Sequence, residues 1–175
     1  MHITCNLFRN LNPTSQMHHL DEIDILILKH LQKNGRAQRN KLAKIVNLSV
    51  PSVSERMRKL EEKKLIDGYH AVLNAQKFNY DIVAFIFVEV DNSSYHSSFV
   101  DKVVLEPEVQ ECHSITGDGS HILKITTENT VSLEKLLSRI QSWEGVKKTR
   151  SNIVLSTFKQ TREIPLDQQE KFAGV

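Results

Sequence analysis

Apolar positions along the chain fall into two regimes. From Leu20 to Leu65 they recur at helical spacing; from Ile82 onward β-branched runs alternate with helical stretches. In the first regime the pattern predicts a helix over Asp21–Asn34, capped by Asp21, with Asp24 adding negative charge to the first turn and Gly35 ending it. Leu20, Ile23, Leu26, Ile27 and Leu31 give it a wide apolar face, and Ile25 and Leu28 add apolar surface elsewhere. That excess predicts a second buried surface, made either by a dimer contact or by one compact domain packing both faces.

The next apolar set, Leu42, Ala43 and Val46, predicts a short helix that stops at Asn47, a residue that tolerates the left-handed conformation of a helix end. Ser49 has the chemistry of an N-cap and Pro51 sits in the following first turn, where a missing N–H costs nothing. Val53, Met57 and Leu60 fall at i, i+4 and i+7 and face a core. The same period turns Pro51, Glu55, Arg58, Lys59 and Glu62 outward, flanked by Ser52, Ser54 and Arg56. Small hydroxyls at a helix start followed by cations make a recognition helix, whose first residues meet base edges while basic residues meet phosphates. The competing reading, an ordinary helix pair with a solvated charged face, does not account for cap, turn and spacing arriving together.

Ile66 to Tyr80 predicts a short β excursion and linker. Ile82–Val90 then reads as a buried strand. Ser93 or Ser94 starts a helix running to Leu105, with Tyr95, Phe99, Val103 and Val104 inward and Pro107 marking its end. Val109–Thr116 and His121–Thr127 read as strands joined by the turn Gly117–Ser120. Thr130 caps a helix carrying Leu133, Leu136, Leu137 and Ile140, with Gly145 just past its end, and Val146–Phe158 forms a last, long strand. The order β-α-β-β-α-β is the ferredoxin-like arrangement. The expected class is therefore α+β: an arm over residues 1–19, a three-helix helix-turn-helix domain over 20–66, a linker over 67–81, a ferredoxin-like domain over 82–167 and a tail over 168–175. A small open sheet leaves one face bare, and a second copy is the expected cover.

Charge sharpens this division. Arg36 to Lys64 holds nine Lys/Arg and three Asp/Glu, a balance of +6, whereas Asp81 to Asp167 holds nine Lys/Arg and thirteen Asp/Glu, a balance of −4. The basic block coincides with the helix-turn-helix, as a polyanion-binding surface requires. Cys5 and Cys112 are too few for a disulfide scaffold, and no apolar run approaches a membrane span or an export signal, so a cytoplasmic setting without a membrane partner is expected. Met17 is an alternative start. The adjacent His18 and His19 lack further ligands, Cys112 and His113 point to opposite faces of a strand, and no phosphate-binding or nucleophile motif occurs, so no metal, cofactor or catalytic residue is expected.

Three segments, LDEIDILILKHLQKNGR, KLAKIVNLSVPSVSERMRKLEEKKLIDGYHAVLN and QECHSITGDGSHILKI, together resemble the Lrp/AsnC (feast/famine) transcription regulators, over Leu20 to about Leu166. The resemblance implies a double-stranded DNA partner and homodimers that assemble further, commonly to octamers. It also implies an amino-acid effector bound between dimers near the loop that matches Gly117 to Ser120. Arg36, Arg39, Asn40, Lys41, Ser49, Pro51, Ser52, Ser54, Glu55, Arg56, Arg58 and Lys59 are the DNA-binding positions it implies, and Thr116, Gly117, Asp118, Gly119 and Ser120 the effector positions. The loop departs from the family's pattern, because Ser120 stands where an Asp would be and His121 where an aromatic would be. Backbone N–H groups of Gly117 to Gly119 could take a ligand carboxylate, while the ammonium half is weakened unless Asp118 substitutes. The bland alternative is a hairpin turn whose glycines supply positive φ. A sirohaem decarboxylase-like enzyme, on a similar two-part fold, is the alternative function.

Overall fold

The computed structural model describes residues 20–117 and 119–166. The predicted arm with His18 and His19, the tail and Asp118 lie outside the described residues. The described chain divides into two compact units, one made of residues 20–72 and 159–166, the other of residues 73–158.

The first unit is built on α1 (Glu22–Lys33), α2 (Arg39–Ile45) and α3 (Val50–Glu62). Its core joins Ile27, Leu28 and Leu31 to Leu42, Ala43 and Val46 and to Val53, Met57 and Leu60. Burial of each Leu or Ile side chain contributes about 1.5–3 kcal/mol, which makes these nine positions the main source of the unit's stability. The first helix starts and stops as predicted, with Asp21 accepting from the Asp24 amide at 2.8 Å. Its inward face is rotated from the expected one, because Ile25 is fully buried and Leu28 joins the core, while Leu26 is 40 % exposed. A helix apolar on nearly every side gives periodicity nothing to choose between. Residues 159–166, assigned from sequence to the other domain, return to this unit. Leu166 packs on its core, and Gln32 exchanges two hydrogen bonds with the Ile164 backbone at 3.1 and 2.6 Å. The expected β excursion is absent: Ile66 to Asn74 forms no strand, and Ala75–Phe78 is a single 3₁₀ turn.

The second unit is a four-stranded antiparallel sheet in the order β2-β3-β1-β4, with β1 at Ile82–Val90, β2 at Val109–Ser114, β3 at His121–Thr127 and β4 at Val146–Ile153. Helices α4 (His96–Leu105) and α5 (Thr130–Gln141) complete the βαββαβ order. The core lies on one sheet face, where Ala84, Ile86, Val88, Leu123 and Ile125 meet Phe99 and Val103 of α4 and Leu133, Leu136 and Ile140 of α5. Strand β1 is therefore buried on alternate residues only and not throughout. Asn92 caps the turn leading into α4, and Asn129, not Thr130, caps α5 by accepting from the amides of Val131 and Ser132, both at 3.0 Å. Val104 points outward, at 46 % exposure. The last strand stops five residues short of the predicted Phe158: its ladder with β1 ends at the Ala84–Ile153 pair, one further bond runs from the Val154 amide to the Val83 carbonyl at 2.9 Å, and Leu155 and Phe158 beyond it are exposed.

Candidate functional site

The turn between α2 and α3 is fixed by local chemistry. Asn47 takes φ 52°, and the Leu48 amide reaches back to the Ala43 carbonyl at 3.0 Å, closing a Schellman-type end. Ser49 then caps α3, its Oγ accepting from the Ser52 amide at 3.2 Å and lying 2.7 Å from the Ser52 hydroxyl. With Val53, Met57 and Leu60 buried, Val50, Pro51, Ser52, Glu55, Arg58 and Lys59 line the exposed side. Ser54 is half-buried beside them. Arg36, Arg39, Asn40 and Lys41 are exposed at the loop before α2 and in its first turn. Lys44, which the sequence reading did not single out, is exposed on the same helix; its signal was the i, i+3 spacing from Lys41.

The two arginines of α3 have different fates. Arg58 remains at the surface, held along its own helix by Glu55 at 2.6 and 2.9 Å and by Glu62. The hydrogen bonds it donates to Glu55 and the charges of Glu55 and Glu62 raise its pKa further. Lys59 lies 3.7 Å from Glu55. Arg56 instead turns back toward α1, where its Nη1 donates to Asp21 at 2.6 Å and to Asp24 at 2.8 Å. Hydrogen bonds to Asp24 and then Asp21 raise its pKa. Burial works against ionised Asp21, but the Asp24 amide and Arg56 outweigh it and hold its pKa below the usual value. Tyr69 serves the end of α3: its hydroxyl donates to Glu61 at 3.0 Å, and burial together with Glu61 pushes its pKa up to about 12.

In the second unit the predicted loop joins β2 to β3. Thr116 and Gly117 are exposed, and Gly117 and Gly119 take φ +100° and +114°, as a tight hairpin loop requires. A Cβ on Gly119 would lie 3.2 Å from the Val88 carbonyl oxygen, so the loop is seated directly on β1. Ser120 turns inward. Its amide and hydroxyl donate to the Val88 carbonyl at 2.9 and 3.1 Å, and its Oγ accepts from the Val90 amide at 3.0 Å. These bonds sit at the register shift between Glu89 and Val90. The hydroxyl also lies 3.0 Å from His121 Nδ1. His121 is buried, with its ring 4.7 Å from Phe99 and 5.0 Å from His96, and Trp143 stacks edge-on with Phe99. Burial, and secondarily His96, lower the His121 pKa. Sequence reading did not foresee this cluster; the strand phase that buries Leu123 and Ile125 also buries His121.

The sheet face opposite the helices carries Val83, Phe85 and Phe87 of β1 and Ile122 of β3, all half-buried. Lys124 and Glu111 pair across it at 2.9 Å, and Arg150 lies 4.9 Å over the Phe87 ring. Cys112 packs against the core on the other face while His113 is exposed, as alternation predicts. Among the described residues there is no metal-ligand cluster, and no helix is long and apolar enough to cross a membrane.

A capped helix-turn-helix followed by a ferredoxin-like ligand domain defines a class of two-domain transcription regulators. Residues 20–67 match the model for winged helix-turn-helix DNA-binding domains, and residues 83–164 match that for Lrp/AsnC ligand binding domains. The chain is 37 % identical to the HTH-type transcriptional regulator FL11 of Pyrococcus furiosus, over 84 % of this chain and 97 % of that protein. It is 33 % identical to the leucine-responsive regulatory protein of Escherichia coli, over 83 % and 90 % of the two chains. Among solved structures, a Neisseria meningitidis transcriptional regulator in complex with L-methionine superposes with a TM-score of 0.82 at 30 % identity, covering 86 % of this chain and 99 % of that one. A Mycobacterium tuberculosis feast or famine regulatory protein complexed with L-methionine gives 0.77 at 32 % identity, covering 83 % and 98 %. The chain belongs to the Lrp/AsnC family of transcriptional regulators. These relatives are regulators and not enzymes, and nothing supports the decarboxylase alternative.

Proposed function

We propose that the protein reads DNA as a cytoplasmic homodimer, with α3 in the major groove, and that an amino acid bound at the β2–β3 loop modulates it. One observation carries the DNA reading: α3 buries its three apolar positions while its Ser49-capped start presents Pro51 and Ser52 outward, followed by Arg58 and Lys59. That places short polar groups where base edges are met and long cations where phosphates are met. Arg36, Arg39, Lys41 and Lys44 are exposed cations without an ion pair among the described residues, and they supply further phosphate contacts.

The bare sheet face supports the dimer. Its centre is apolar and aromatic and its rim is charged, the anatomy of a face made to be covered, and a second copy covers it with closed two-fold symmetry. Such dimers assemble further, to octamers on the family's pattern. Two solved relatives hold L-methionine, which favours an amino acid here too. In this chain the Ser120 hydroxyl is committed to the β1 backbone, so the ligand carboxylate falls to backbone N–H groups of the Gly117–Gly119 loop.

A mobility-shift titration of the gene's own upstream region, with and without a pool of amino acids, tests the reading. A shift that the pool alters is expected. A shift indifferent to the pool would remove the effector, and no shift at low salt for any upstream DNA would remove the regulator.

A further inference from the structure

We infer that Arg56 is a positioning residue that latches the recognition helix to the start of α1, and that it is not one of the cations that meet DNA. The inference rests on the DNA-reading role proposed above and assigns a role within it. Arg56 lies on α3 among residues that face outward, and by residue type and spacing it belongs with the phosphate contacts. Its guanidinium is nevertheless spent on Asp21 and Asp24, at 2.6 and 2.8 Å. Asp24 is largely covered, with 17 % of its side chain exposed, and the Arg56 side chain is 30 % exposed, against 53 % for Arg58. Asp21 is also the N-cap of α1, so one carboxylate terminates α1 while its second oxygen holds α3.

The latch joins residues of α3 and the start of α1 that are more than thirty positions apart in sequence, 35 for Arg56 and Asp21 and 32 for Arg56 and Asp24. It fixes the rotation of α3 about its own axis and hence the direction in which Ser52 and Ser54 point. A guanidinium suits this task because its fork presents several N–H donors in a fixed plane. Two carboxylates already neutralise it, so its charge is spent before a phosphate arrives, and drawing it away would leave Asp24 uncompensated beside the incoming polyanion. The counterions released on DNA binding therefore come from cations elsewhere, with Lys41 a clear case because it is exposed and carries no ion pair among the described residues.

The two roles differ in what they do to specificity and to salt. A phosphate contact weakens binding to every sequence alike when removed and lowers the log–log salt slope by about 0.9 per contact. A positioning residue degrades binding to the cognate site while nonspecific affinity and slope persist. The experiment uses the full chain and titrates the gene's upstream DNA and an unrelated duplex of equal length at several salt concentrations. It compares wild type, Arg56→Gln, Lys41→Gln and the double variant Asp21→Asn/Asp24→Asn. Asn caps a helix as well as Asp does, so the double variant removes the latch charges, keeps the cap and does not touch the DNA face.

The expected result is that Arg56→Gln and the aspartate double variant both lose roughly fivefold in affinity for upstream DNA, the size of a partly exposed ion-pair network, with nonspecific affinity and slope unchanged. Lys41→Gln loses affinity for both duplexes and its slope falls. If Arg56→Gln lowers the slope, or if the double variant binds as wild type or more tightly because it frees Arg56, the assignment is overturned. If Arg56→Gln fails to fold, the double variant alone decides. Absence of any shift by the wild type would overturn the regulator reading itself, an outcome distinct from both.

Discussion

At the residue scale, His121 and Gly145 carry consequences that their neighbours do not. His121 is buried against Phe99 and His96, which favours its neutral form and lowers its pKa below the ordinary imidazole value of 6.5. The unfolded chain therefore binds a proton that the folded chain refuses in the window below 6.5, and stability falls as pH drops through that window toward the lowered value. Thermal melts between pH 7 and pH 5 should show the second unit losing stability on acidification, and His121→Phe should flatten that dependence. An identical pH dependence in the variant would contradict the assignment. Gly145 has φ +83°, and a Cβ there would sit 2.4 Å from two atoms of the Tyr95 side chain. Gly145→Ala combines a left-handed backbone with a steric clash and is expected to cost about 1–3 kcal/mol in denaturant unfolding. Position Gly145 was legible in the sequence as a helix end; the contact with Tyr95 was not, because it joins segments that are distant in sequence.

At the scale of elements, the sequence specified best what one segment decides alone. The phase of α3 followed from Val53, Met57 and Leu60, and the bounds of β1 and β3 from their apolar composition. Capping was legible where one candidate stood in place, as at Ser49 and Asp21. At α5 both Asn129 and Thr130 were available, and the side chain of Asn129 took two amides. Ser49→Ala should destabilise the helix-turn-helix by about 1 kcal/mol, the usual worth of an N-cap, read as a lower melting temperature of the first unit. An unchanged melting temperature would mean that α3 starts without its help. The end of β4 was not legible, since the run from Val154 to Phe158 has strand composition and where it stops depends on the pairing with β1, which ends at Ile153 apart from one bond from the Val154 amide to Val83. The role of Arg56 was hidden for the same reason: its partners lie on another helix, and its own neighbours on α3 mark it as a DNA contact.

At the scale of the molecule, the division into a basic helical unit and an acidic sheet unit was visible in the charge balance, whereas the return of residues 159–166 to the helical unit depends on packing that no local pattern encodes. The bare sheet face was likewise foreseeable from topology, and its residues follow from the register of β1 with β3. Phe87 lies at its centre under Arg150. If the proposed dimer forms on this face, Phe87→Glu should leave a monomer in sedimentation experiments while the circular dichroism of the fold persists. A dimer that survives the change would place the interface elsewhere. The central claim is that two copies of α3 read DNA together, and footprinting of the gene's upstream region tests it most directly. Paired protected segments are expected, with centres one helical turn, ~34 Å, or a multiple of it, apart. Protection of a single unpaired segment, or none at protein concentrations that saturate the assay, would contradict it.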